Sequence, residues 1–311
     1  MEPVVAFFLL GVAGGLLRTD LKFPRPLYEA LAIYLLLAIG LKGGVELARQ
    51  SLADAVLPSL SVMLMGVVIP LLAFPVLRHV GGLARADSAS IAAHYGSVSV
   101  VTFAVGSTYL NRIGVSYESL LTVFMVLLEA PAIVIGVLLA RGLGSGLPAG
   151  TVREVVFGKS IFLLVGGLAV GWATGVDGIA PLDLLFFDLF KGVLALFLLE
   201  MGLVASRQLG ALRRFGPFLT VFAVAMPLAS AALSLGLGLA LGLSVGGMTL
   251  LATLAASASY IAAPAAMRIA VPDANPALSL GAALGITFPF NLIIGIPIYH
   301  QAAAWLRGGT L

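Results

Sequence analysis

There is no cysteine among the 311 residues. Disulfides, thiolate nucleophiles and cysteine-ligated metals are thereby excluded. Charge is almost as scarce. Asp, Glu, Lys and Arg together make up 10% of the chain, against about 25% in a soluble domain. That is too little to coat a water-facing surface. Histidine occurs only at His79, His94 and His300, with no metal-ligand spacing. The net charge is +3, yet there is no Lys/Arg tract and no interleaving of basic with aromatic residues. Nucleic acid is therefore not an expected partner.

What the chain does have is apolar length. Hydrophobic residues make up 60% of it, and the mean hydropathy is +1.12. Stretches near the 20 or so residues that cross a bilayer recur from end to end, so the solvent is lipid. The pattern predicts an all-α membrane protein. Ten spans are expected, near 3–17, 27–49, 53–78, 86–109, 117–140, 153–174, 181–206, 215–242, 246–268 and 277–305. The first run follows Glu2 and Pro3 rather than Lys or Arg, and is read as a short span, not a signal peptide. Basic residues divide unequally between the two faces. Lys42, Arg49, Arg112 and Arg307 fall on one side, and a larger set including Arg18, Arg85, Arg141 and Arg268 on the other. The richer side is expected to be cytoplasmic, with both termini outside.

The two halves echo each other at an offset near 160 residues. Gly40-Leu41 before Arg49-Gln50 is matched by Gly202-Leu203 before Arg207-Gln208. Pro58 and Pro70 match Pro217 and Pro227, Ser97-Val98-Ser99 matches Ser257-Ala258-Ser259, and Pro131 with Gly136 matches Pro289 with Gly295. Two units are predicted, 1–145 and 146–311. Five spans in each would invert the second relative to the first, an arrangement suited to alternating access.

Spans four and nine are polar at matching places: HYGSVSVVTFAVGSTY from His94 and TLAASASYIAAPAAMR from Thr253. Gly96 and Pro264 are expected to weaken these helices near mid-membrane. Freed backbone groups at that depth require a cavity, and two broken helices that cross can hold an anion and a cation together. Small residues at such positions also serve close packing. Glu129 lies inside span five, where an ionisable group costs about 3 kcal/mol or more. It reads as a Na⁺ ligand, a proton carrier, or a structural partner of a hydroxyl or of Lys159. Asn291 follows Pro289 in span ten, as a ligand or an interhelical hydrogen bond. Glu200 and Lys191 read as a packing pair, and Tyr117-Glu118 as a cap or rim.

At these residues the chain resembles the sodium-dependent bicarbonate transporter family best known from cyanobacteria. The resemblance is carried by Tyr95-Gly96-Ser97-Val98-Ser99, Tyr117-Glu118, Glu129-Ala130-Pro131-Ala132, SASYIAAPAAMRIAVPDANPALSL and ITFPFNLIIGIPIYH. It implies a five-plus-five inverted repeat with crossed broken helices, a homotrimer in the bacterial plasma membrane, and Na⁺-coupled bicarbonate uptake with no other cofactor. The family usually has Asp where Glu129 stands, and a further Ser near Val101. The loop near 142–152 is shorter than in cyanobacterial members, which argues against binding of a nitrogen-regulator-like trimer.

Residue pattern and resemblance together give the expected site. Substrate is assigned to Gly96, Ser97, Ser99, Ala258, Ser259 and Tyr260, and Na⁺ to Ser99, Thr102, Glu129, Ser257, Ser259 and Asn291. Bicarbonate is planar with three oxygens, and backbone N–H groups with Ser hydroxyls suffice to hold it; no Arg lies at a span centre. Import of another small carboxylate is the alternative within the class. A channel or an intramembrane enzyme is the alternative outside it. An enzyme needs a nucleophile with a base or a metal, and no His/Asp/Glu cluster offers one.

Overall fold

The computed structural model describes residues 3–48, 52–142, 147–212 and 216–308. Among them there are helices and no strands. In order these are α1 (Pro3–Leu16), α2 (Arg25–Leu47), α3 (Leu52–Pro75), α4 (Arg85–Gly96), α5 (Val100–Arg112), α6 (Leu120–Arg141), α7 (Ala149–Phe157), α8 (Lys159–Ile179), α9 (Phe190–Leu212), α10 (Gly216–Ala240), α11 (Val245–Ala255) and α12 (Ala262–Ala270). The last helical stretch, α13, runs Pro276–Leu306. Seven stretches among the described residues are long and apolar enough to cross a membrane; α1 and α11 are shorter apolar helices. Leu57, Leu60 and Leu64 on α3, Phe162 and Trp172 on α8 and Val221 on α10 are exposed. An apolar exterior of this extent fits lipid and not water. The chain is a multi-pass membrane protein.

Two long pairings define one part of the fold: α1 lies along α9, and α2 along α8. Glycine makes both possible. A Cβ on Gly11 would overlap the Leu199 carbonyl, and one on Gly202 the Phe8 carbonyl. On the other pair, a Cβ on Gly44 would overlap the Leu168 carbonyl, and one on Gly171 the Leu41 carbonyl. Each pair therefore meets backbone to backbone, as small residues four apart allow in membranes.

The remaining helices form a bundle. Within it α3, α4 and α6 pack together, α10 and α13 enclose α11, α5 meets α11, and α12 meets α4 and α6. The stretch Arg85–Arg112 is its centre. Its apolar window is 100% buried, whereas that of Ala55–Val80 is 39% buried. This explains how the most polar stretch tolerates membrane depth: its hydroxyls face protein, not lipid.

Several boundaries differ from the sequence expectation. The sixth expected span is two helices, α7 and α8, interrupted at Gly158, which is extended (φ −58, ψ 148). It also continues to Ile179 past a non-helical Gly175 (φ 62, ψ −167). The seventh helix starts at Phe190, because Ala180–Leu182 and Leu184–Asp188 form a 3₁₀ and a π turn. Pro264 does not break its helix. It sits in the first turn of α12, where its missing N–H costs nothing. The boundary expected at 145/146 and the Arg49-Gln50 part of the repeat lie outside the described residues.

Candidate functional site

The site is built where two helices are interrupted side by side. Between α4 and α5 the chain is extended at Ser97 (φ −85, ψ 173) and Ser99 (φ −109, ψ 111). Position 96, the last of α4, is glycine for a packing reason: a Cβ there would stand 2.5 Å from Pro70 Cδ and 2.8 Å from Ala132 Cβ. Ser99 then caps α5, its hydroxyl accepting from Thr102 N at 3.2 Å. This satisfies one of the N–H groups that a helix start leaves open. The second interruption, 256–261, separates α11 from α12. Here Ser259 accepts from Ala263 N at 3.2 Å.

Two hydrogen bonds tie the interruptions together. Ser99 N donates to Ser257 Oγ at 2.8 Å, and Ser259 N donates to the His94 carbonyl at 2.8 Å. Each break thus satisfies a backbone group of the other, as buried backbone demands. A third support comes from α13. Asn291 Nδ2 donates to the Ala256 carbonyl at 2.8 Å, and Asn291 Oδ1 accepts from Tyr299 OH at 2.7 Å. Asn291 therefore positions the end of α11, the interhelical role. It sits in the π turn Asn291–Gly295, just beyond a second one at Ala283–Thr287. Pro289 cannot donate to the carbonyl of Gly285, four residues back, which accounts for the widened turn there. In that turn Thr287 accepts from Tyr95 OH at 2.7 Å and donates to the Ala223 carbonyl at 2.7 Å.

Beside the breaks lies a cavity of about 10 Å³, bordered by Ser99, Glu129, Ser160, Ser259 and Tyr260. It has room for about one water molecule or one bare ion. Glu129 is 2% exposed, and its Oε2 has no hydrogen-bond partner. The Ser97 and Tyr260 hydroxyls are also buried without partners. Orphaned polar atoms are rare in folded proteins and ask for an explanation. Here three of them cluster at two helix breaks.

The expected residues separate accordingly. Ser99, Glu129, Ser259 and Tyr260 border the cavity. Ser257 and Asn291 hold its walls, Thr102 donates its backbone N–H to the capping Ser99 hydroxyl, and Gly96 packs. Ala258 is buried in the second break. Lys159 is exposed and makes no ion pair with Glu129; the ion pair found among the described residues is Arg25–Glu29. Lys191 and Glu200 do not pair either. Lys191 lines another cavity, while Glu200 is buried with Oε2 unpartnered. Glu118 acts as a cap, accepting from Ser244 N at 2.6 Å and from Ser244 Oγ at 3.1 Å at the start of α11. Sequence reasoning missed Ser160, which α8 brings to the cavity. Its signal was the pair Gly158-Lys159 before it, a helix start inside an apolar span.

Comparison with known proteins gives one assignment. The family model for the Na⁺-dependent bicarbonate transporter superfamily matches residues 3–304, nearly the whole chain. No curated protein matches.

Proposed function

The chain belongs to the Na⁺-dependent bicarbonate transporter superfamily, and on that premise we propose that it imports bicarbonate together with Na⁺, with both bound at the crossed breaks. The observation that carries this reading is the unpartnered carboxylate oxygen of Glu129, facing a cavity of ionic size among the hydroxyls of Ser99, Ser160 and Ser259. A buried carboxylate without a partner is costly. A cation supplies what the protein leaves out, and hydroxyls, carboxylate and freed carbonyls are the ligands that Na⁺ takes in broken-helix transporters. Bicarbonate binds next to it. The starts of α5 and α12 offer positive helix ends, and the Ser97 and Tyr260 hydroxyls are unused. Na⁺ and the anion then lower each other's cost of burial, which couples their movement.

Packing supports a mode of action. The two glycine-lined pairs, α1·α9 and α2·α8, form a panel, and α3–α6 with α10–α13 form the bundle that carries the breaks. Ser160 belongs to the panel, whereas Glu129, Ser99 and Ser259 belong to the bundle. Movement of the bundle against the panel would expose the site to each side in turn, as an elevator does. The pairings also fit an inverted repeat. Exchanging the halves turns α1·α9 into α8·α2, and Gly11·Gly202 into Gly167·Gly40.

The test is uptake in proteoliposomes. Labelled bicarbonate should accumulate under an inward Na⁺ gradient and not under a K⁺ gradient. Excess acetate or pyruvate should not compete. Na⁺-driven uptake of labelled acetate or pyruvate, with no bicarbonate flux, would move the assignment to a carboxylate importer.

A further inference from the structure

A second cavity, of about 90 Å³, lies between α4, α12 and the start of α13. It is separate from the space at Glu129 and shares no lining residue with it. Its polar lining is Ser90, His94, Arg268 and Ser279, with Met267 and Pro264 as apolar wall. Arg268 is an exposed cation that forms no ion pair among the described residues. The nearby acid Asp87 is engaged elsewhere, accepting from Asn275 N at 2.7 Å, and Arg141 reaches the Ala270 carbonyl at 3.5 Å.

His94 fixes what the cavity can bind. Its Nδ1 is 2.7 Å from the Ser90 carbonyl. A carbonyl cannot donate, so Nδ1 carries the hydrogen. In the neutral ring Nε2 is then an acceptor. The residue is 1% exposed, and Nε2 has no partner. A ligand here must therefore bring negative charge to Arg268 and a hydrogen-bond donor to His94. Acetate and nitrate bring the charge alone. Hydrogencarbonate brings both, through two carboxylate-like oxygens and one O–H.

We propose that this cavity is a second anion site, selective for a small oxyanion that carries a hydroxyl, and that its ligand is hydrogencarbonate. The choice of ligand rests on the transport reading above; the chemistry of the site does not. The cavity adjoins the transport site through one residue, because the His94 carbonyl accepts from Ser259 N at the second break. It lies on the side of the breaks that holds Arg85 and Arg268, and so forms a station for the anion between the breaks and that face.

The experiment is thermal unfolding of the protein in nanodiscs, with choline replacing Na⁺ and chloride keeping ionic strength constant. Bicarbonate, acetate, nitrate and inorganic phosphate are titrated separately. Bicarbonate should raise the midpoint saturably without Na⁺, with acetate and nitrate at least tenfold weaker. Arg268→Gln, at an exposed position, should weaken the bicarbonate response at least tenfold. His94→Gln should do the same, and Ser259→Ala should keep it. Equal responses to bicarbonate and acetate, no response at all, or a response untouched by Arg268→Gln would each overturn the site, and a response to phosphate alone would overturn hydrogencarbonate as its ligand. Na⁺-driven uptake by the same preparation is measured in parallel. A lack of uptake with the bicarbonate response intact counts against the transport reading alone.

Discussion

The backbone N–H of Ser99 donates to the hydroxyl of Ser257 at 2.8 Å, across 158 residues of sequence. Ser257 passes the bond on, donating to the Leu254 carbonyl at 2.7 Å. This serine is a clamp between the two breaks, whereas Ser99 and Ser259 border the ion-sized cavity. The two roles lead to different mutant behaviour.

Ser257→Ala leaves a buried N–H without an acceptor, at a cost of about 1–3 kcal/mol. The midpoint of thermal unfolding should fall, and transport should weaken with it. Ser259→Ala removes a cavity hydroxyl, and the apparent Na⁺ or bicarbonate affinity should drop at least tenfold with normal expression. Thermal scans and uptake kinetics on both variants check this. A Ser259→Ala protein with wild-type affinity would reassign that serine to packing.

Glu129 is separable by charge and by length. Glu129→Gln keeps the shape and removes the charge, so Na⁺-driven uptake should fail. Glu129→Asp keeps the charge and should retain much of the activity. A proton-carrying group would instead give a Gln variant that stays Na⁺-dependent and loses only its response to external pH. Uptake of Gln, Asp and Ala variants across pH distinguishes these cases. A fully active, Na⁺-dependent Gln variant would remove Glu129 from the Na⁺ site.

The panel makes a sharp pair of predictions on one helix. A Cβ at Gly171 would overlap the Leu41 carbonyl, whereas Gly166 has nothing within 4 Å. Overpacking costs about 1–3 kcal/mol. Gly171→Val should therefore lower the unfolding midpoint and the yield of folded protein, and Gly166→Val should leave both near wild type. Similar behaviour of the two variants would mean that α2 and α8 do not meet in the membrane as described.

Orientation is testable with tags. Both termini should be reached from outside, and a tag at Gly146 only from the cytoplasm. A cytoplasmic N-terminus would reverse the charge-based map, and the direction of import with it.

The lipid environment, the helical class, the polar character of the centre and the place of Glu129 inside an apolar helix were legible in residue order, because each depends on composition or on a local run. The helix breaks were legible in place but only partly in cause. Position 96 is held to glycine because Pro70 and Ala132 leave no room for a Cβ, and neither residue is close to it in sequence. Pro264 was the wrong breaker. A proline is disruptive only where an earlier carbonyl needs its N–H, and in the first turn of α12 none does.

By itself, the sequence determined that the chain must fold in lipid, because too few charges exist to face water. It also determined that hydroxyl and small residues gather in two stretches, from His94 and from Thr253, with Glu129 and Asn291 in other spans. Only the tertiary structure decided which of them are free. Asn291 and Ser257 have the same hydrogen-bonding capacity in any fold, and here both are occupied in joining helices. Glu129, Ser97, Tyr260 and His94 keep an unpartnered atom, and Ser160 reaches the site from a helix that no spacing rule connects to it. Hydrogen-bond satisfaction is a property of neighbours, and in this protein the decisive neighbours are far apart in the chain.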